Sequence, residues 1–318
     1  AAMGAPWYGD DRGEWMSPLA AERALATLAG CLPIPGATKR LLSDFRPNVV
    51  VCPTMLHEGI EVPLLSAAKR RKIPIVLGVG SLDTLVSKGA LLVRPDRLLV
   101  WGRSQANEAR AWHDLPWERI AVTGPPQFDC YAEGAGADTA MKRGVYIAGS
   151  SLQYWADVGQ VRAYLEAELP ALGVAGHFSP HPRRSGETWE WDGPAMAARL
   201  RDALCLVCAW STLSIEAALC GTPTLFVAYG QGVPRFGEWP HMRPILAWPD
   251  VRICRSPAEL LQGIRDLVSG AWAPDRERLR RLAMEQGLGD GRNQERIIEA
   301  IEDSALRAGS APDGRTRP

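Results

Sequence analysis

The chain has 318 residues, with 36 basic and 36 acidic side chains and 46% hydrophobic residues. This length suits two domains better than one, and the apolar content is ample for their cores. Balanced charge gives no overall attraction for nucleic acid, and no apolar stretch approaches the roughly 20 residues that a membrane-spanning helix requires. We therefore expect a soluble, cytoplasmic protein without a nucleic-acid partner.

The seven cysteines are odd in number and lie mostly in apolar runs. This pattern favours reduced, buried thiols over a disulfide framework. Cys205 and Cys208 form a C-x-x-C pair, which is a typical spacing for metal or redox chemistry. Residues three apart in a strand point to opposite faces, and no second such pair or nearby histidine accompanies them, so burial is the better interpretation.

The first half of the chain repeats a strand, a turn and a helix about every 22 to 25 residues, which predicts a doubly wound α/β domain. The predicted strands are 49–52, 74–78, 97–100 and 120–122. The predicted helices are 18–28, 38–45, 61–71 and 104–112.

A loop with two ionisable side chains, His57 and Glu58, follows the first strand and precedes Gly59. The carboxyl ends of strands are where α/β proteins collect catalytic residues, so the pair is a candidate acid/base or substrate-orienting pair. A solvated loop is the alternative. The G-x-G at 78–80 lacks a third glycine and is a weak phosphate signal.

A Gly/Ala-rich segment within 133–142 predicts a linker between a first domain, 1–132, and a second, 143–308. The second domain opens with a strand at 145–148 and a helix at 160–169. Its later predicted elements are a strand at 251–254 and helices at 257–268, 276–286 and 294–306. The tail, 309–318, is small and polar and is expected to be disordered.

Two clusters in the second domain are candidates for contact with an anionic ligand. Gly149 and Ser150 follow the first strand of the domain, where a phosphate or hydroxyl group can be bound. His181, Arg183 and Arg184 follow a proline-fixed stretch, and a rigid histidine beside two guanidinium groups suits a diphosphate or a carboxylated sugar. A solvated basic loop is the alternative for the second cluster.

The stretch 203–229 predicts a strand, a turn, a helix and a second strand. The apolar run 203–209 is typical of a strand buried on both faces of a parallel sheet. Small apolar residues at helical spacing follow Leu213, and the helix is expected to end at Gly221, with Pro223 beyond. The second strand is predicted at 224–228.

The turn and the helix of this unit carry the candidate binding residues Ser211, Thr212 and Glu216. Free backbone N–H groups at a helix start attract anions, and Thr212 and Glu216 share one helix face. A phosphorylated sugar or nucleotide fits, with phosphate on the N–H groups and ribose hydroxyls on Glu216. A purely structural unit, with Glu216 favourable to the helix dipole, is the alternative.

Several segments, in order, resemble the nucleotide-sugar glycosyltransferases of GT-B type. They are also similar to the CDP-glycerol glycerophosphotransferases and the non-hydrolysing UDP-N-acetylglucosamine 2-epimerases. The matching segments are RPNVVV, KIPIVLGVGS, PDRLLVWG, RIAVTGPPQFDCY, HPRR, STLSIEAALCGTPTLFVAYG, SPAEL and DGRNQERI. They span most of residues 46–301, and the ordered set is more specific for the fold than for the reaction.

The resemblance implies two Rossmann-like domains facing across a cleft, with the donor nucleotide held chiefly by the second. It places Ser211 and Thr212 at the donor phosphates and Glu216 at the ribose hydroxyls. It places His181 near the departing diphosphate. The pair Asp290-Gly291 matches a D-G that precedes the final helix in glycerophosphotransferase-like members.

The sequence departs from this pattern in two places. Val79-Gly80 stands where relatives commonly carry His-Gly, so an imidazole expected there is missing. Only residues 1–45 precede the RPNVVV segment, and they contain no convincing strand and no Gly-rich loop. We therefore expect the first domain to be truncated or rebuilt.

The resemblance implies transfer from a UDP-, CMP- or CDP-linked sugar to a glycan or lipid-linked acceptor in bacterial surface polysaccharide synthesis. No DxD-like acidic pair follows a strand, so neither a metal nor a separate cofactor is expected. A lipid-linked acceptor would bring peripheral contact with a membrane. The alternatives are nucleotide-sugar 2-epimerisation, glycerophosphate transfer from CDP-glycerol, and a non-catalytic sugar-nucleotide-binding subunit.

Overall fold

The computed structural model describes residues 18–53, 60–87, 90–132, 144–149, 158–180, 192–230 and 240–309. It divides into two compact units, 1–124 with 294–318, and 125–293. Each unit contains one parallel sheet. The two parallel sheets thus confirm the expected α/β class with two Rossmann-like domains.

The first unit contains a four-stranded sheet in the order β1-β2-β3-β4. Its strands are β1 Val50–Cys52, β2 Ile75–Gly78, β3 Arg97–Val100 and β4 Ile120–Val122. Its helices are α1 Pro18–Cys31, α2 Gly36–Phe45, α3 Glu61–Arg70, α4 Thr84–Ser87 and α5 Arg103–His113, with a last helix, α12, at Asn293–Gly309. These bounds confirm the predicted strands and helices of this half to within a few residues.

The second unit contains a five-stranded sheet in the order β6-β5-β7-β8-β9. Its strands are β5 Gly144–Ala148, β6 Ala175–Ser179, β7 Ala203–Cys208, β8 Thr224–Val227 and β9 Val251–Cys254. Its helices are α6 Val158–Glu168, α7 Gly193–Asp202, α8 Leu213–Leu219, α9 Arg243–Leu246, α10 Pro257–Ser269 and α11 Arg276–Gln286. Strand β7 is almost wholly buried, as its apolar run predicts.

The last helix, α12, belongs to the first unit, which corrects the predicted boundary of the second domain at residue 308. Ala300 of this helix is buried against Val76 and Leu99, and Ile297 and Ile301 pack around them. The chain therefore crosses to the first sheet after residue 293, because the apolar stripe of α12 covers one face of that sheet.

The start of the second unit also differs from the prediction. Residues 125–132 pack with the second unit, whereas the sequence placed them in the first. A 3-10 segment, Pro126–Tyr131, contacts α7 and α8 of that unit. The predicted linker, 133–142, lies outside the described residues, as does the predicted tail beyond Gly309.

Gly78, at the end of β2, is required by a close backbone approach. A Cβ atom there would lie 2.5 Å from the Pro53 carbonyl oxygen. This distance is too short for a real contact, and the backbone of Pro53 would have to move to relieve it. We expect Gly78→Ala to lower the free energy of unfolding by about 1–3 kcal/mol, measured by urea denaturation.

Gly30 is the matched control, because a Cβ there meets nothing within 4 Å and the residue is helical. Gly30→Ala should leave stability unchanged or raise it by up to about 1 kcal/mol. Equal effects of the two variants would contradict the steric argument.

None of the helices within the described ranges combines the length and the apolar character that spanning a bilayer requires.

Candidate functional site

The strand order of the second sheet defines the position of a binding crevice. The chain begins at β5, moves outward to β6, and then returns to the other side of β5 to form β7. The connections therefore leave β5 and β7 in opposite directions, which opens a crevice at their carboxyl ends. Open parallel sheets bind ligands at such a switch point. Gly149 follows β5, and the turn 209–212 follows β7.

The turn after β7 is built around Ser211. Its hydroxyl oxygen accepts a hydrogen bond from the Leu213 N–H at 3.2 Å, and its carbonyl accepts one from the Ser214 hydroxyl at 2.7 Å. Thr212 precedes α8 with helical backbone angles and makes no side-chain capping bond. The Ser211 hydroxyl therefore helps to cap the helix, and the Thr212 hydroxyl remains uncommitted among the described residues.

Glu216 lies one turn into α8, and its carboxylate meets Tyr131. The Tyr131 hydroxyl donates a hydrogen bond to Oε2 of Glu216. Burial raises the pKa of Glu216 above its usual range, and the bond from Tyr131 opposes that rise. Burial and the neighbouring Glu216 charge also raise the pKa of Tyr131, so its proton stays on the phenol at ordinary pH. Tyr131 thus donates a hydrogen bond to a partly buried carboxylate.

Burial and Glu216 also affect the thiol of Cys130, which lies next to Tyr131. Burial, followed by the nearby Glu216 charge, raises the pKa of its thiol to about 11. The thiol is therefore neutral at physiological pH and is not an activated nucleophile. Cys205 and Cys208 are buried in β7, where burial raises the pKa of both thiols, in keeping with a packing role.

Gly149 has a defined structural bond. Its N–H donates to the Ser179 carbonyl at 2.8 Å and so extends the pairing of β5 with β6. That N–H is therefore committed to the sheet and is not available to a ligand. The other candidates of the prediction, Ser150, His181, Arg183 and Arg184, lie outside the described residues.

The first-unit candidates His57 and Glu58 also lie outside the described residues. The G-x-G loop after β2 is bonded to the residue after β3 and to α5 of the first unit. The Val79 carbonyl accepts from the Trp101 indole N–H at 2.7 Å, and the Ser81 carbonyl accepts from the Gln105 amide at 3.1 Å. This loop therefore uses polar groups for its own structure, in line with its weak phosphate signal.

The sequence did not predict the environment of one partly buried acidic residue near that loop, Glu108. Burial, followed by the Asp83 charge, raises the pKa of Glu108 to about 8. Asp83 is itself bonded by the hydroxyls of Ser81 and Ser87, at 2.6 and 2.5 Å. Glutamate in an amphipathic helix gives no sequence signal of this kind, because its burial depends on how α4 and the loop pack against α5.

The D-G pair before α12 forms a turn. The Asp290 carboxylate accepts from the Arg292 N–H at 3.2 Å, and Gly291 has a φ of +79°. A Cβ on Gly291 would lie 3.2 Å from the Cβ of Ala132. The pair therefore packs against the 3-10 segment that carries Tyr131, which gives it a structural role.

No arrangement of three or more histidine, cysteine, aspartate or glutamate side chains in the described part of the chain is placed to hold a metal ion.

Comparison with known proteins reveals similarity in structure only. No protein-family model matches the chain, and no curated protein matches its sequence. MnaA from S. aureus, solved with UDP, is 13% identical with a TM-score of 0.55, over 95% of this chain and 86% of that one. The UDP-GlcNAc 2-epimerase from Neisseria meningitidis, bound to UDP-GlcNAc, is 14% identical with a TM-score of 0.53, over 91% and 84%.

A glycotransferase of kitacinnamycin is similar to the same degree, at 16% identity and a TM-score of 0.52, over 95% of this chain and 85% of that one. The shared feature of these proteins is a fold of two Rossmann-like domains. The chain therefore has the GT-B type fold. Epimerases and glycosyltransferases both have this fold, so it leaves the reaction open.

Proposed function

We propose that this chain is a metal-independent glycosyltransferase. It would move a sugar from a nucleotide-activated donor to a glycan or lipid-linked acceptor in bacterial surface polysaccharide synthesis. The observation that carries the proposal is the Glu216 carboxylate beside the switch point of the second sheet, held on one oxygen by Tyr131. A fixed carboxylate at this edge suits the paired hydroxyls of a ribose.

The donor would bind with its phosphates at the turn that carries Ser211 and Thr212 and with its ribose on Glu216. The uncommitted Thr212 hydroxyl can donate to a phosphate oxygen. The N–H groups of Leu213, Ser214 and Ile215 already donate to oxygens of this turn and would stay there. His181, with Arg183 and Arg184, is proposed to neutralise the charge of the departing nucleoside phosphate.

In the transfer step an acceptor hydroxyl oxygen would attack the anomeric carbon. The bond from that carbon to the phosphate oxygen breaks, and its electron pair leaves with the nucleotide. His57 or Glu58 is proposed to take the proton of the acceptor hydroxyl. Positioning and charge neutralisation would supply most of the rate enhancement.

Epimerisation of a nucleotide sugar is the second candidate, and structural similarity to the UDP-GlcNAc-bound epimerase favours it. Glycerophosphate transfer from CDP-glycerol would use the same nucleotide site with a different step: the acceptor hydroxyl attacks the glycerol-bearing phosphorus, the pyrophosphate bond breaks, and CMP leaves. A non-catalytic sugar-nucleotide-binding subunit would keep the Glu216 site without turnover. Product analysis separates these candidates.

A thermal-shift screen with UDP, CDP, CMP, GDP and dTDP tests the binding site first. A nucleotide present at 100 times its dissociation constant stabilises the folded state by about 2.7 kcal/mol, so the midpoint should rise for at least one of them. A midpoint that none of the five nucleotides changes would contradict the proposal.

The second step uses the sugar nucleotide of the base that binds, followed by proton NMR. A glycosyltransferase should release free nucleotide, faster with an added acceptor, and form no new sugar nucleotide. Accumulation of a 2-epimer would identify an epimerase. Release of CMP from CDP-glycerol would identify a glycerophosphotransferase. Binding without any of these products would identify a non-catalytic subunit.

A further inference from the structure

The Glu216 carboxylate uses its two oxygens differently. Oε2 accepts the hydrogen bond from Tyr131. None of the hydrogen bonds in the described part of the chain uses Oε1. This atom is also not fully buried, so a ligand can reach it. One oxygen is therefore held by the protein while the other is free at the carboxyl edge of the second sheet.

Tyr131 is held rigidly. It is 1% exposed and packs edge-on against Phe128, with ring centres 5.7 Å apart. Arg201 donates to the carbonyls of both Cys130 and Tyr131 at 3.4 Å. The phenol therefore has no room to follow a moving carboxylate.

The 3-10 segment that carries Tyr131 is also tied to the end of the second unit. The Asp129 carboxylate accepts from the Asn293 N–H at 2.8 Å, and the Asn293 amide donates to the Pro125 carbonyl at 2.9 Å. Asn293 is fully buried. These bonds fix the direction from which the Tyr131 hydroxyl reaches Glu216.

We infer that Tyr131 is a positioning residue that makes the Glu216 site selective for ribonucleotides over 2′-deoxyribonucleotides. This inference rests on the nucleotide site proposed above. Tyr131 fixes the carboxylate so that Oε1, with its two lone pairs, faces the adjacent 2′- and 3′-hydroxyls of a ribose together. A deoxyribose supplies one donor fewer and leaves part of a desolvated carboxylate unpaired, which is costly.

Burial supports the same conclusion. Because burial raises the pKa of Glu216, its charged form is costly unless hydrogen-bond donors surround it. Tyr131 supplies one donor, and the ribose would supply the remaining two. Loss of the Tyr131 hydroxyl should therefore weaken the bonds to the ribose and leave contacts to the base and phosphates unchanged.

Isothermal titration of UDP, CDP and GDP, each beside its 2′-deoxy counterpart, tests the inference with Tyr131→Phe. For the base that binds, the wild-type protein should prefer the ribonucleotide at least about tenfold. Tyr131→Phe should weaken the ribonucleotide about tenfold and the deoxynucleotide less than about twofold, so that the preference shrinks.

Tyr146→Phe is the matched control. The Tyr146 hydroxyl is buried in the same unit and lacks a hydrogen-bond partner among the described residues. Its removal should leave both affinities unchanged.

Three outcomes overturn the inference. The first is a wild-type protein that binds the ribonucleotide and its 2′-deoxy counterpart equally well. This outcome is measured on the wild type alone and does not depend on the folding of a variant. The second is an equal loss of affinity for the ribonucleotide and the deoxynucleotide in Tyr131→Phe, which indicates a general structural role for Tyr131. If nucleotide binding still depends on Glu216 in that case, the proposed function stands. The third is binding of none of the three ribonucleotides; the proposed function falls with it when CMP and dTDP also leave the thermal midpoint unchanged.

Discussion

Glu216→Gln is expected to weaken nucleotide binding at least about 100-fold, because two charge-assisted hydrogen bonds to the ribose would be lost, each contributing about 1.5–3 kcal/mol. The glutamine keeps the size of the side chain and an acceptor for Tyr131. The nucleotide-dependent rise in thermal midpoint should therefore disappear while the fold remains.

The same substitution is expected to stabilise the ligand-free protein. Burial raises the pKa of Glu216 above the value of 4.5 for the unfolded chain, so the folded state binds the proton more tightly. This contribution is fully present below pH 4.5 and is lost as the pH rises through the folded-state pKa. Glu216→Gln should thus have a higher midpoint than the wild type at pH 8, and little difference at pH 4.5.

Thermal unfolding at pH 4.5, 6 and 8, with and without nucleotide, measures both effects. Glu285→Gln, an exposed carboxylate in α11 of the same unit, is the control and should change neither. A variant that binds nucleotide normally would remove Glu216 from the site. A Glu216→Gln variant that is less stable than the wild type at pH 8 would contradict the claim that the ionised Glu216 carboxylate destabilises the ligand-free protein.

A carboxylate that costs stability in the absence of ligand is typical of a functional position. Glu216 can retain its charge in a partly buried place because one oxygen has the Tyr131 donor and the other is left for a partner. The alternative role, a favourable interaction with the helix dipole, explains neither the buried tyrosine nor the uncommitted oxygen.

Local patterns were sufficient to predict the stretch 203–229. Its apolar run gave β7, Gly221 ends the helix with a positive φ of 69°, and the second run gave β8. Strand β6 was missed because Gly176 and His177 interrupt its apolar character, and as an edge strand it is mostly exposed. Helix α7 was missed although its start carried a signal: the Asp192 side chain accepts from the Ala195 N–H.

Contacts between distant residues could not be predicted from local patterns. Tyr131 and Glu216 are 85 residues apart, and nothing near Tyr131 in the sequence indicates which carboxylate it meets. The return of α12 to the first sheet is a similar case. Its apolar stripe predicts a buried face, and only the packing of Ala300 against Val76 shows which sheet it covers.

Glu108→Gln is expected to stabilise the first unit by an amount that grows with pH. Burial, assisted by the Asp83 charge, raises the pKa of Glu108 from 4.5 to about 8. Within the described ranges, its Oε2 atom is buried without a hydrogen-bond partner. The folded protein therefore holds a proton on Glu108 that the unfolded chain releases, and ionising this carboxyl in the folded state is costly.

The stability that this proton provides is fully present below pH 4.5 and is lost as the pH rises to about 8. The loss is about 1.4 kcal/mol per pH unit and roughly 4–5 kcal/mol in all. Glutamine cannot ionise, so Glu108→Gln should equal the wild type near pH 4.5 and exceed it by about that amount above pH 8. Urea unfolding at pH 4.5, 6, 7, 8 and 9 measures the difference directly.

Glu302→Gln, an exposed carboxylate on α12 of the same unit, is the control and should differ from the wild type by no more than a few tenths of a kcal/mol at any pH. A difference for Glu108→Gln that does not change with pH would show that the side chain ionises as freely in the folded protein as in the unfolded chain. A difference that grows and then levels near pH 8 would locate the proton on Glu108. Asp83→Asn should then move that levelling to a lower pH, because it removes the neighbouring negative charge.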